Sequence, residues 1–113
     1  MTTYDNLPVY KTSYDLLVEI FKFVKTFSRE YKYTLWESIK NETIKMITNI
    51  YKANWDFEKR KYNIFLAREN IEVVRLYLRL TKDLKQIDLK TFMFLNLNIE
   101  SISKQLSFWD KKS

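Results

Sequence analysis

The sequence predicts an all-α protein and, within that class, an up-down-up-down four-helix bundle. Three observations point there. The 113 residues include no glycine and one proline, Pro8. Sheet proteins draw on glycine for tight turns, so its absence favours helices joined by short polar links. Apolar residues recur at spacings of three and four through four long segments, the period of a helix with one buried face. Hydrophobic residues make up 46% and charged residues 30% of the chain, which fits a folded domain and not a disordered segment. At this length a single domain spanning residues 1–113, with one core, is expected.

The first segment, about residues 8–28, carries Tyr10, Tyr14, Leu17, Phe21 and Val24, with a second stripe of Leu16, Ile20, Phe23 and Phe27 beside it. Two adjacent stripes make a broad buried face, and Tyr10, Tyr14 and Phe21 are expected in the core. Pro8 suits the first helical turn, where its missing N–H costs little. The second segment, about 34–54, opens on Thr34-Leu35-Trp36-Glu37, which reads as a capping box. It continues through Ile39, Thr43, Met46, Ile47, Ile50 and Tyr51. A third, about 57–85, holds Ile64, Ala67, Ile71, Val74 and Leu78, flanked by Leu66, Val73, Tyr77, Leu80 and Leu84. The fourth, about 89–109, has Phe92, Leu95, Ile99, Ile102, Leu106 and Trp109. Asp88 is its expected N-cap, with Ile87 and Phe92 placed for a hydrophobic staple, and Asp110 to Ser113 are expected to fray.

Composition narrows the chemistry. The chain has no cysteine and no histidine. That excludes disulfides, thiol nucleophiles, zinc sites of the usual kind, histidine acid–base catalysis and the Glu-x-x-His di-iron pattern. Carboxylates such as Glu42, Glu69 and Glu72, with the lysines, are the acids and bases that remain, and their spacing converges on no site. No catalysis, metal or cofactor is expected. The N-terminal run MTTYDNLPVYKTSYDLL has no signal-peptide pattern, and no apolar run approaches a membrane span, so a cytoplasmic protein without a membrane partner is expected. A net charge of +6 and a pI near 9.4 favour an anionic partner, nucleic acid ahead of membrane.

On the third segment Arg68, Glu72, Arg75, Arg79 and Lys82 follow one another at helical spacing and share one face. Lys22, Lys25 and Arg29 make a similar row on the first, with Lys32 following. Such rows can track phosphates. They can equally be solvated faces with local pairs such as Glu72 with Arg75 or Arg79, and spacing alone favours that reading. Trp36, Trp55, Phe57, Phe65, Phe94 and Trp109 are hard to place inside one small bundle, so a second, intermolecular interface is expected.

The runs FSREYKYTL, IYKAN, VVRLYLRLTKDLK and ESISKQL, in this order, carry a further signal. From about Leu7 to Trp109 the chain resembles the Avd proteins, the accessory variability determinants of diversity-generating retroelements. A wider group of four-helix-bundle proteins shares the aromatic-basic-Tyr-x-Leu turn. It typically continues into a proline-containing run, whereas ETIKMITNIYKAN has none here. Trp36 departs from relatives that carry a small residue there. The resemblance implies a homopentamer of bundles forming a basic, barrel-like body. It also implies a non-enzymatic role: association with the retroelement's reverse transcriptase and template-repeat RNA, or DNA, in support of mutagenic retrohoming. By that resemblance Arg68, Arg75, Arg79 and Lys82, with Lys22, Lys25 and Arg29, are the candidate nucleic-acid or partner contacts. The alternative is a structural or protein-interaction bundle of the wider group with no nucleic-acid role.

Overall fold

The computed structural model describes residues 7–113; the start of the run read for a signal pattern lies outside them. Four long helices account for most of the described chain: α1 Pro8–Lys22, α2 Glu37–Trp55, α3 Arg60–Asp83 and α4 Leu89–Lys112. Each packs against the next, and α4 returns to α1, closing a four-helix bundle of 43 × 23 × 21 Å. Links of four and five residues join α2 to α3 and α3 to α4, which forces those neighbours to run antiparallel.

The core runs the length of the bundle. Leu16 and Ile20 of α1, Met46 and Ile50 of α2, Ile71, Val74 and Leu78 of α3, and Leu95, Ile99, Ile102 and Leu106 of α4 meet along its axis, all buried. Each such side chain contributes on the order of 1.5–3 kcal/mol by leaving water. On α1 it is the second apolar stripe that turns inward. Tyr14 and Phe21, expected in the core, are 51% and 47% exposed. Val9 and Ser13 continue the buried line instead. Tyr10, Tyr77 and Phe92 pack against the core from its edge. Of the aromatics that were hard to place, Trp36 is buried and Trp109 packs against the core, while Trp55, Phe57, Phe65 and Phe94 face solvent.

The passage from α1 to α2 is more elaborate than a short link. The α-helix stops at Lys22, short of the expected 28, and tightens into a 3-10 turn, Phe23–Thr26. Phe27 turns extended, and the chain re-enters a helix at Arg29–Tyr31 that continues as a π-helical turn, Lys32–Trp36, directly into α2. Thr34 therefore caps nothing. Its hydroxyl donates to the Glu30 carbonyl at 3.1 Å, within a helix already under way, so the expected capping box is not formed. An i−4 carbonyl was within reach, and a hydroxyl in a running helix takes it. The π-turn brings Trp36 inward, where its indole N–H donates to the Ile20 carbonyl at 3.0 Å. That carbonyl belongs to the last turn of α1 and also accepts a backbone N–H there, so the indole takes its second lone pair. Phe21 meets the same indole edge-on, 5.8 Å between centroids.

The end of α2 and the start of α4 are capped by side chains, and the end of α3 by backbone. Arg60 donates from Nε to the Ala53 carbonyl at 2.8 Å and from a terminal nitrogen to that of Asn54 at 3.0 Å, closing the end of α2. Asp88 accepts from the Thr91 backbone N–H at 2.7 Å, as expected of an N-cap, with Ile87 buried and Phe92 against the core. At the end of α3, Lys85 N–H bonds to the Lys82 carbonyl and Gln86 N–H to that of Thr81. This is a Schellman motif, and Lys85 occupies its left-handed position at φ 60°. The C-terminus does not fray at Asp110: α4 runs on to Lys112, and Asp110 is held by Lys61 at 3.2 Å and Arg68 at 3.0 Å.

Candidate nucleic-acid interface

The seven basic residues singled out from the sequence fall into two settings. Arg68 and Arg75 lie on the α3 face towards α4 and are committed to acids. Arg68 pairs with Asp110, and Arg75 bridges Glu72 of its own helix to Glu100 of α4. Both are interhelical ties as well as positive charges, and Glu72 pairs with Arg75 rather than with Arg79. The remaining five, Arg79, Lys82, Lys22, Lys25 and Arg29, belong to the other end of the same rows. Lys22 reaches Glu19 at 3.4 Å and Lys82 reaches Asp83 at 3.7 Å, both pairs open to water, where such contacts are weak. Among the described residues Lys25, Arg29 and Arg79 have no acidic partner within 4.0 Å and are exposed.

The folded chain brings these five to one end of the bundle. The α1–α2 passage and the α3–α4 link both lie there, and they are joined: the Ser28 backbone N–H donates to Gln86 Oε1 at 2.7 Å. Beneath that bond Phe27, Trp36, Thr81, Ile87 and Leu95 line one apolar pocket, leaving a void of about 10 Å³. Lys82 lies over the Phe92 ring at 4.8 Å, its charge kept at the surface. Lys32, which follows the first row in the sequence, lies there too, and sequence reading missed two further members, Lys85 and, in the first turn of α4, Lys90.

The charge count shows how uneven the molecule is. Residues 22–36 and 79–90, which build this end, hold eight basic and three acidic residues, a net +5. The other 86 residues hold twelve and eleven. Almost the whole net charge of +6 therefore sits at one end of a rod 43 Å long. A field of that shape attracts and orients polyanions. Asp88, the acid nearest the link, is already occupied. The Thr91 hydroxyl and backbone N–H, helped by the nearby Lys90 charge, hold its carboxyl below the ordinary value of 3.8.

The acids considered as catalysts are engaged or scattered. Glu42 accepts from Asn70 and pairs with Lys45. Glu69 and Glu72 border an open groove of about 420 Å³ between α3 and α4, with Phe65, Arg68 and Ser103. No helix among the described residues is long and apolar enough to cross a membrane.

Fold and charge together define a four-helix bundle with one strongly basic end. No family model matches the chain, and no curated protein or solved structure matches it either.

Proposed function

We propose that this protein is a non-enzymatic accessory factor of a diversity-generating retroelement, binding the reverse transcriptase and its template-repeat RNA through basic surfaces. The observation that carries the reading is the net +5 gathered at the joined α1–α2 and α3–α4 links. The likeness to Avd proteins in the sequence gives that charge a purpose. Contacts of this type read phosphate and RNA shape; sequence selection is left to the transcriptase and the RNA fold.

The proposal includes self-association, with five copies expected from the likeness to Avd. Tyr14, Val18 and Phe21 of α1, and Met93, Phe94 and Leu97 of α4, are exposed apolar groups that support it. Several copies would present several basic ends to one RNA and raise avidity without any new contact. The same apolar groups suit a bundle that serves only protein interactions. A reverse transcriptase gene and a template/variable repeat pair beside the gene separate the two readings, because the interaction bundle needs neither.

The direct test is binding of the transcriptase and of template-repeat RNA, each alone and together, by wild type and by Arg79→Glu/Lys82→Glu. The variant is expected to keep its helical content and lose affinity for one or both. Equal affinity in the folded variant, at moderate salt, sinks the assignment. Arg75 is a poor choice for reversal: a glutamate there would face Glu72 and Glu100 and destabilise the α3–α4 contact.

A further inference from the structure

Within that reading, and resting on it, we propose that the basic end is a single-stranded RNA site in which Tyr33 stacks on an unpaired base while Arg29, Lys32 and Lys85 contact the flanking phosphates.

Tyr33 lies in the π-helical turn Lys32–Trp36. Its neighbours in that turn are spoken for. Tyr31 packs against the core, and Leu35 and Trp36 are buried within it. A residue midway between inward-facing positions on a helix faces the opposite way, and Tyr33 is 71% exposed. Tyr14 stacks on Tyr10, Phe57 lies under Arg60 and Phe108 lies under Lys112, while Trp55, Tyr62, Phe65 and Phe94 are exposed outside the segments that build the basic end. Tyr33 makes no hydrogen bond or ring contact among the described residues. An exposed tyrosine by itself asks for no explanation. Here it shares the α1–α2 passage with Arg29, one helical turn before it, and Lys32, and the Ser28–Gln86 bond joins that passage to the link that carries Lys85.

That combination matches one ligand chemistry. An aromatic face surrounded by cations binds a strand whose bases are free to stack and whose phosphates run alongside. A duplex offers phosphates but no free base face, so it would use the cations and leave Tyr33 idle. Geometry also keeps the cations outward. Lys85 is held in a left-handed conformation at the rim of the link, and a non-glycine residue there is costly enough to invite a functional reason. The turn that carries Tyr33 is tied down from inside by Trp36 on Ile20, so the platform is fixed before RNA arrives.

The test uses fluorescence anisotropy with a labelled 12-nucleotide oligouridylate and a 12-base-pair RNA duplex, at one salt concentration. Tyr33→Ala is expected to weaken single-strand binding about tenfold, the loss of one stacked base, and to leave duplex binding unchanged. Tyr33→Phe should restore it, because stacking needs the ring and not the hydroxyl. Arg29→Gln/Lys85→Gln should weaken both ligands, whereas Lys52→Gln/Lys59→Gln, the same charge removed at the far end, should weaken them much less. Circular dichroism melts confirm that each variant is folded. Single-strand binding by folded Tyr33→Ala equal to wild type overturns the proposal, as does an equal loss from the far-end pair. Preference for phosphatidylserine vesicles over oligouridylate overturns it too. If wild type binds template RNA and transcriptase but not the oligouridylate, this inference falls and the accessory role stands. If it binds neither RNA nor transcriptase, both fall.

Discussion

The backbone N–H of Ser28 donates to the side-chain oxygen of Gln86 at 2.7 Å, a bond between residues 58 apart in sequence. It ties the passage out of α1 to the link out of α3, and with them the two basic rows. Gln86 is itself fixed, its amide donating to the Leu84 carbonyl at 2.9 Å. Gln86→Ala is expected to cost about 0.5–1.5 kcal/mol, a hydrogen bond that water can partly replace. Urea denaturation measures the cost. Amide hydrogen exchange at Ser28 should rise while exchange in the core of α2 barely changes.

Trp36 anchors the same passage from inside. Trp36→Phe keeps a ring against Phe21 but leaves the Ile20 carbonyl without its indole donor. The carbonyl keeps its backbone N–H, so a destabilisation of about 0.5–1.5 kcal/mol is expected, the net value of one hydrogen bond, read from the urea midpoint. A loss too small to measure would mean that the indole is only packing.

Lys85 should be replaceable with a gain in stability. Its φ of 60° costs a side-chain-bearing residue about 1 kcal/mol or more, and glycine escapes that cost while giving up some unfolded-state entropy. Lys85→Gly is therefore expected to raise stability by about 0.5–1 kcal/mol while weakening RNA binding. The opposite signs, measured on one variant, separate the fold from the site.

Ser13 is a second position where replacement should stabilise the fold. It is fully buried on α1, and its hydroxyl has no hydrogen-bond partner. Desolvating a hydroxyl without replacing its bonds is unfavourable. Ser13→Ala is expected to stabilise the protein by about 1 kcal/mol, visible as a higher melting temperature.

Asp88 gives a pH signature. Its carboxyl is held below its ordinary value chiefly by the Thr91 hydroxyl and backbone N–H. A depressed folded-state value means the carboxylate's contribution is present above the unfolded value. It is lost as pH falls through the folded one, below about pH 4. Asp88→Asn keeps an N-cap acceptor without the charge. The variant should be less stable than wild type at neutral pH, and the difference should shrink as pH falls through the folded value, with urea midpoints as the measure.

Helix number and the inward stripes of α2, α3 and α4 were legible because their apolar positions leave one consistent face. On α1 two stripes lay side by side, and hydrophobicity favoured the tyrosine-rich one. Packing chose the stripe whose smaller members, Val9 and Ser13, let α1 approach its neighbours. The π-turn left no mark in the sequence, so Thr34 and Glu37 imitated a helix start. Lys85 was equally hidden, since a chain without glycine shows no sign of where its left-handed residue falls.

The site was half legible. Spacing found the rows, but it could not show that Asp110 and Glu100 would occupy Arg68 and Arg75, because those acids are 42 and 25 residues away. It also missed that the two links meet. An up-down-up-down topology places the first and third links at one end, so counting charge by link would have found it.

The most direct measurement is the salt dependence of template-RNA binding by wild type and by Lys25→Gln/Arg29→Gln/Lys85→Gln. For wild type the logarithm of the binding constant should fall linearly with the logarithm of salt concentration. For the triple variant, folded and with unchanged helical content, the slope should be shallower by about 2, roughly 0.7 for each phosphate of a single strand that is no longer neutralised. An unchanged slope in a folded triple variant would contradict the placement of the polyanion site at this end of the bundle.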